Sequence, residues 1–418
     1  MTTQIRPEIT VFSPETYGNG DPTTFGLPLE QYAYLREQAP IYLYEFNHPM
    51  LMDRAWVLSR HADIEAVDRD PATWTAGRGW FNCSYGRFSF NDPVNNPDGK
   101  PTMLTSDGED HRRQRRVVSR TFTPKLVAQL QEKFHGYAKK VVDHALELGT
   151  FNFVTEVAHL MPMEALGDVL GVPAEDRPNF FGWVDQFAAP FDPRITQSFD
   201  QVIDAINSLM DYSLHMRDRR RASTADDVLS QIARASMGDE LSDDEVQGNV
   251  GTLAAGAAES TRAALAHAMH ELMRRPDQMA WLRERATDIP MTAPHEIVRI
   301  ATPFTNFART ATRDVVLHDQ VIKEGEIVGL LFPSANMDPE VFDQPERMDL
   351  SRDPNPHMGF GRGPHSCLGK HVALLEIKIL FEELLQRTKD IQPAGEISYM
   401  YDSFSRGVYD LPVTVVPA

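Results

Sequence analysis

The residues best suited to chemistry stand together at Phe360-Gly361-Arg362-Gly363-Pro364-His365-Ser366-Cys367-Leu368-Gly369. They set a cysteine just ahead of an apolar helical stretch, inside a glycine-rich bend. The chain has one other cysteine, Cys83, so little competes with Cys367 for the role of a thiolate. A thiolate at a helix start is stabilised by the positive end of the helix dipole and by free backbone N–H groups. Glycines at 361 and 363 let the loop fold tightly under the sulfur, and Gly369 lets a flat group lie against the helix. A sulfur offered this way suits an axial ligand of haem iron, where it favours O–O cleavage. Two rival readings exist. A lone cysteine is commonly a small buried hydrophobe. Zinc is the sharper rival, because His357, His365, Cys367 and His371 cluster, but their spacing matches no usual ligand pair and leaves the glycines unexplained.

The ten-residue segment resembles the haem-binding signature of the cytochrome P-450 family, Phe-Gly-x-Gly-x-His/Arg-x-Cys-x-Gly, and fills every fixed position. The resemblance implies haem b held by the Cys367 thiolate, with Phe360, Gly361, His365 and Gly369 around it. Upstream, Glu296 and Arg299 are three apart and can pair on one helix face. They match the family's Glu-x-x-Arg element, which implies a buried ion network with an arginine before the cysteine loop. Arg347 is the first choice and Arg352 the second. Haem propionates need charged partners. The resemblance points to His111 and Arg115, to Arg309, and to His365.

Ala254-Ala255-Gly256-Ala257-Ala258-Glu259-Ser260-Thr261 resembles the family's oxygen-activation stretch. Dioxygen cleavage needs two protons, which an acid and a hydroxyl beside a loosened helical turn can relay. Glu259 and Ser260 take that role, with Thr261 as substitute. Serine stands where the family usually has threonine and lacks the methyl that fixes the rotamer. Ala257 replaces a glycine, and Gly256 comes one residue early. Two further departures, Ala373-Leu374-Leu375-Glu376 and Asn336-Met337-Asp338, read as packing variation.

The elements that must position these groups are mostly helical. Apolar periodicity predicts helices near 62–69, 111–120, 125–147, 154–171, 198–221, 225–236, 242–273, 276–285, 292–301 and 368–387. Strands are expected at 55–60, within 314–330 and within 394–417. Residues 71–104 read as a long aromatic loop, more often functional than filler. No repeat or linker divides the chain. The expected fold is therefore mainly α with small β-sheets. The resemblance makes it a single triangular domain enclosing the haem over 1–418, with about 1–20 an N-terminal extension.

Lys plus Arg number 41 and Asp plus Glu 60, a formal net charge of −19. That disfavours nucleic acid as a partner. No stretch reaches the ~18 apolar residues of a spanning helix, and the N-terminus is polar. Two distant cysteines fit a reducing cytoplasm. The expected protein is a cytoplasmic monomer that binds no membrane.

The substrate pocket is expected from Trp80, Phe81, Phe88, Phe90, Phe187, Phe191, Leu253, Ala257, Thr302, Phe304 and Phe404, joined by Thr305 and Phe307. So aromatic a set suits an apolar, ring-containing small molecule such as a terpenoid, steroid or aromatic compound. The chain has no flavin or iron–sulfur motif, so electrons must come from outside. Arg112, Arg113, Arg116, Arg362 and Lys370 would attract an acidic ferredoxin, itself served by an NAD(P)H-linked reductase. The expected activity is insertion of one atom of O2 into the substrate. A peroxide-driven peroxygenase and a non-catalytic haem sensor or carrier are the alternatives.

Overall fold

The computed structural model describes residues 7–46, 52–78, 81–84, 102–119, 122, 124–238 and 240–418. Its longest helix, Asp243–Arg274, begins with a reciprocal cap. Glu245 N–H donates to Ser242 Oγ at 3.3 Å, and Ser242 N–H donates to Glu245 Oε2 at 2.8 Å. Both bonds satisfy donors that a helix start leaves orphaned, and three acids in the first turn complement the dipole. Small residues from Ala254 to Ala268 let neighbours approach closely. Helices Leu160–Leu170, Arg177–Ala188, Phe199–Arg219 and Thr292–Ala301 all pack on it. Helix Lys370–Arg387, which follows the cysteine, packs on Pro124–Leu148 and buries Val372, Ile379, Leu380 and Leu384.

A five-stranded mixed sheet flanks the helices in the order Ile41–Glu45, Arg54–Leu58, Ile327–Leu331, Asn306–Ala311, Trp74–Thr75. Arg54–Leu58 runs parallel to Ile327–Leu331 with Trp56 opposite Val328; the other pairings are antiparallel. A smaller sheet joins Thr150–Asn152, Pro412–Pro417 and Thr388–Pro393. The hairpin Ser398–Tyr399 with Val408–Asp410 lies nearby in sequence.

Most expected helices are present within a few residues. The stretch 154–171 is instead divided into a π-helical turn, Val154–Ala158, and the helix Leu160–Leu170. The wide turn closes with His159 N–H donating to the Val154 carbonyl at 2.8 Å. Helix Arg177–Ala188 escaped the periodicity reading. Pro178, Asn179 and Gly182 dilute its pattern, and it is fixed by burial of Phe180, Phe181 and Val184. Strand Asn306–Ala311 was also missed, because both its faces are covered and it shows no alternation. Among the described residues, no helix is long and apolar enough to cross a membrane.

Candidate active site

Gly361 and Gly363 have φ of 61° and 62°, the left-handed region where a side chain is strained. A Cβ on Gly363 would also lie 2.6 Å from the Asp68 carbonyl oxygen. The loop is strapped down by Arg362 N–H donating to Asp68 Oδ2 at 2.6 Å and Cys367 N–H donating to the Phe360 carbonyl at 2.8 Å. Cys367 is enclosed by protein, yet its surface is open, because it faces an internal cavity. The cavity holds about 1580 Å³ of empty space, counting its mouth to solvent. Burial pushes the Cys367 thiol up, while backbone N–H groups of Gly369 and Lys370 and the charge of Arg115 pull it back. Gly369 borders the cavity, and no protein atom lies within 4 Å of where its side chain would begin.

Cations converge on the same space. Arg115, Arg309 and His365 line it. Arg115 donates to the Ser366 carbonyl at 2.6 Å, Arg309 pairs with Asp68 at 2.6 Å, and His365 Nε2 lies 3.0 Å from Asp107 Oδ1. Burial alone would raise Asp107; hydrogen bonds from His365 and Thr75 bring it down to about 2. His111 stands behind, its ring 4.4 Å from that of His365, and its buried Nε2 has no hydrogen-bond partner. Burial, with the charges of His365 and Arg115, lowers His111 to about 4. The zinc reading loses its cluster in space. His357 pairs with His295 at 3.0 Å and His365 with Asp107. No group of three metal-ligating side chains forms among the described residues.

The long helix supplies the opposite wall through Leu253, Gly256, Ala257, Ser260, Thr261 and Ala264. Ser260 Oγ donates to the Gly256 carbonyl at 2.6 Å, a bond back along the helix that loosens the turn. Glu259 points elsewhere, into an adjoining apolar cavity of about 790 Å³ that shares Gly256 and Thr252 with the first. There it pairs with buried Arg262, which also bonds Asp185 at 3.0 Å and His159 at 3.2 Å. The π turn thus places His159 beside Arg262. Burial raises the Glu259 carboxyl, against the lowering pull of Arg262.

The adjoining cavity brings together Phe81, Phe187, Phe304 and Phe404, as expected, with Phe307, Leu104 and Ser405. Phe304 and Phe404 stack at 4.8 Å and 19°. Phe81 and Phe307 meet Phe404 edge-on at 5.5 and 5.6 Å. Leu253 and Ala257 line the larger cavity. Thr302 lines neither. It terminates its helix at φ 37°, and its hydroxyl donates to the Arg299 carbonyl at 2.7 Å, so its part is structural. Thr305 is likewise turned away, bonded to the Ser403 carbonyl. Phe191 is absent from both linings, and Trp80, Phe88 and Phe90 lie outside the described residues.

Glu296 and Arg299 are fully buried and meet in two bonds of 2.8 Å. The second arginine is Arg352, whose Nε donates to Glu296 Oε2 at 3.2 Å. Arg347 is exposed and contributes only its carbonyl, which accepts from Arg299 and from Arg352, each at 3.2 Å. Its position between Pro345 and Met348 turns the side chain out. Asp68, Asp107, Arg262, Asp185 and Ser405 carried no local sequence signal; each matters through partners far along the chain.

The chain belongs to the cytochrome P-450 family, whose model matches residues 163–289 and 291–400. It is similar to steroid C26-monooxygenases: 34% identical to that of Rhodococcus jostii, over 96% of this chain and 85% of the relative. For the Mycolicibacterium smegmatis protein the identity is 31%, over 91% and 89%. It is also similar to the structure of a Mycobacterium marinum cytochrome P-450 in complex with pseudoionone, at 30% identity and a TM-score of 0.88, covering 99% of this chain and all of that one. The fold is the triangular, mainly helical one of that family, and the chain is an oxidoreductase of the cytochrome P-450 monooxygenase type.

Proposed function

We propose that this chain is a haem-thiolate monooxygenase that places one atom of dioxygen into an apolar, ring-containing small molecule, with electrons from an external ferredoxin. The observation that carries the reading is Cys367, opening into a large cavity opposite the hydroxyls of Ser260 and Thr261. The residues fit a haem. Gly369 leaves a flat face open, Arg115, Arg309 and His365 line the rim, and the unpartnered Nε2 of His111 is a ready donor for a carboxylate. When bound, the haem supplies dioxygen binding and oxygen-atom transfer. Cys367 would hold its iron, and His111, Arg115, Arg309 and His365 its propionates.

Ser260 and Thr261 hand protons into the cavity. Glu259, pushed toward its neutral form by burial, stores a proton beside them. Arg262 links it to Asp185, whose side chain is 30% exposed and so reaches water. The aromatic walls exclude water and receive the substrate; the relatives' steroid substrates and pseudoionone are of the apolar character such walls suit. The ferredoxin would dock where Arg112, Arg116, Arg362 and Lys370 offer positive charge on an otherwise acidic protein. Arg113 is withdrawn from that patch, since it pairs with Glu245 at 2.5 Å. With both cysteines enclosed and far apart, a cytoplasmic monomer remains the reading. Turnover with ferredoxin, its reductase and isotopically labelled dioxygen tests the proposal. One labelled atom per product supports it, and turnover with peroxide alone would replace it by the peroxygenase reading.

A further inference from the structure

The adjoining cavity is built almost wholly of phenyl rings and aliphatic side chains, yet two buried polar atoms face it idle. Glu259 is 2% exposed in its side chain; Oε2 is held by Arg262, while Oε1 has no hydrogen-bond partner. Ser405 is 1% exposed, and its Oγ has none either. Both residues line the same cavity. The Ser405 hydroxyl sits near enough to favour the charged carboxyl, without completing a bond to it. Neither is free to turn away. Ser405 N–H donates to Asp402 Oδ1 at 3.1 Å, and its backbone pairs with Phe304. A Cβ on Gly407 would lie 2.8 Å from Glu259 Oε1, so the same turn runs against the carboxyl. Buried polar atoms left without partners are rare and costly, and two side by side in an apolar pocket point to a ligand group that completes them.

We infer that Glu259 Oε1 and Ser405 Oγ form a polar subsite for one hydroxyl group of an otherwise apolar, ring-containing substrate. The inference rests on the monooxygenase reading for what that substrate then undergoes. A hydroxyl can donate to the carboxylate oxygen and accept from the serine at once. A ketone can only accept from Ser405 and meets the carboxylate lone pairs, and a hydrocarbon satisfies neither atom. The carboxylate oxygen accepts in two directions, so an anchored hydroxyl leaves one for the proton path past Gly256. Cys367 belongs to the other cavity, so the carbon attacked lies at the end of the substrate away from its hydroxyl.

Cyclododecanol, cyclododecanone and cyclododecane share one ring and differ only in this group. Their binding to the haem-loaded protein would be measured by calorimetry and by the Soret shift. The expected order is alcohol, ketone, hydrocarbon, with about tenfold between first and last, the worth of a hydrogen bond to a charged group. In Ser405→Ala the ketone should fall to the level of the hydrocarbon, and the alcohol should lose part of its advantage. Equal affinities for all three in the wild type, or an order untouched by Ser405→Ala, would overturn the subsite. The carbon monoxide spectrum of the same preparation separates the two ideas. A thiolate-type band with three equal affinities removes the subsite alone. A missing band removes the monooxygenase reading, while the calorimetric order still decides the subsite.

Discussion

Arg299→Met, Arg352→Met and Arg347→Met should destabilise the protein in that order, with wide gaps. Arg299 makes two 2.8 Å bonds to Glu296 and donates to the carbonyls of Asn336, Pro345 and Arg347. Removing it leaves a buried carboxylate short of its main partner and three carbonyls without that donor. Breaking a buried pair from one side costs about 3–5 kcal/mol. That is a large share of a total stability of about 5–15 kcal/mol. Arg352 gives Glu296 one bond of 3.2 Å, and the carboxylate keeps Asn355 at 2.9 Å and the Asp349 N–H at 2.9 Å. Its loss should cost about 1–2 kcal/mol. The Arg347 side chain is exposed and makes no ion pair among the described residues, so its loss should stay within about 0.5 kcal/mol. Urea unfolding of the haem-loaded protein, followed by circular dichroism, reads the order directly. With a slope of about 3 kcal/mol per molar, Arg352→Met should lower the midpoint by roughly 0.5 M at unchanged slope. Arg299→Met should accumulate little folded protein. A midpoint lowered as far by Arg347→Met as by Arg352→Met would refute this account of the network.

Three other outcomes follow from the site. Ser260→Ala with Thr261→Val removes both hydroxyls from the haem cavity and should cut product formed per dioxygen consumed by about a hundredfold, with peroxide released instead; unchanged coupling would show that neither relays protons. Glu376 is buried in the cavity wall, and burial raises its carboxyl well above 4.5, so the folded chain keeps a proton the unfolded chain loses. Wild-type stability therefore falls as pH rises past about 4.5, and the advantage of Glu376→Gln should open from near zero there by up to about 1.4 kcal/mol per pH unit; a pH-independent difference in urea midpoints would contradict this. Arg112→Glu, at an exposed arginine paired only with Glu109 at 3.0 Å, should slow stopped-flow reduction by ferredoxin and weaken its salt dependence; unchanged rates would move the docking face elsewhere.

The cysteine loop was legible because its requirements are local. The left-handed turns at Gly361 and Gly363 and the cysteine before a helix are written in consecutive residues. The Glu296–Arg299 pair was legible for the same reason, being one helical turn. Its third member was not, since Arg347 and Arg352 lie in an irregular segment where no period says which side chain turns inward. Asp68 and Asp107, which hold Arg309 and His365, come from parts of the chain that only tertiary packing brings to the cysteine loop. The direction of Glu259 was hidden too. Sequence places it next to Ser260, but adjacent helical residues point about 100° apart, so the acid faces the aromatic cavity and the hydroxyl the haem cavity. Thr302 looked like a pocket residue by position, until its helix-ending conformation spent its hydroxyl on Arg299.

The central claim is that Cys367 presents a thiolate to haem iron. The most direct test is the absorption spectrum of the dithionite-reduced protein with carbon monoxide, for the wild type and for Cys367→Ala. The account predicts a strongly red-shifted Soret band in the wild type that is lost in the variant. A wild-type spectrum without that band, or a band that survives Cys367→Ala, would contradict it.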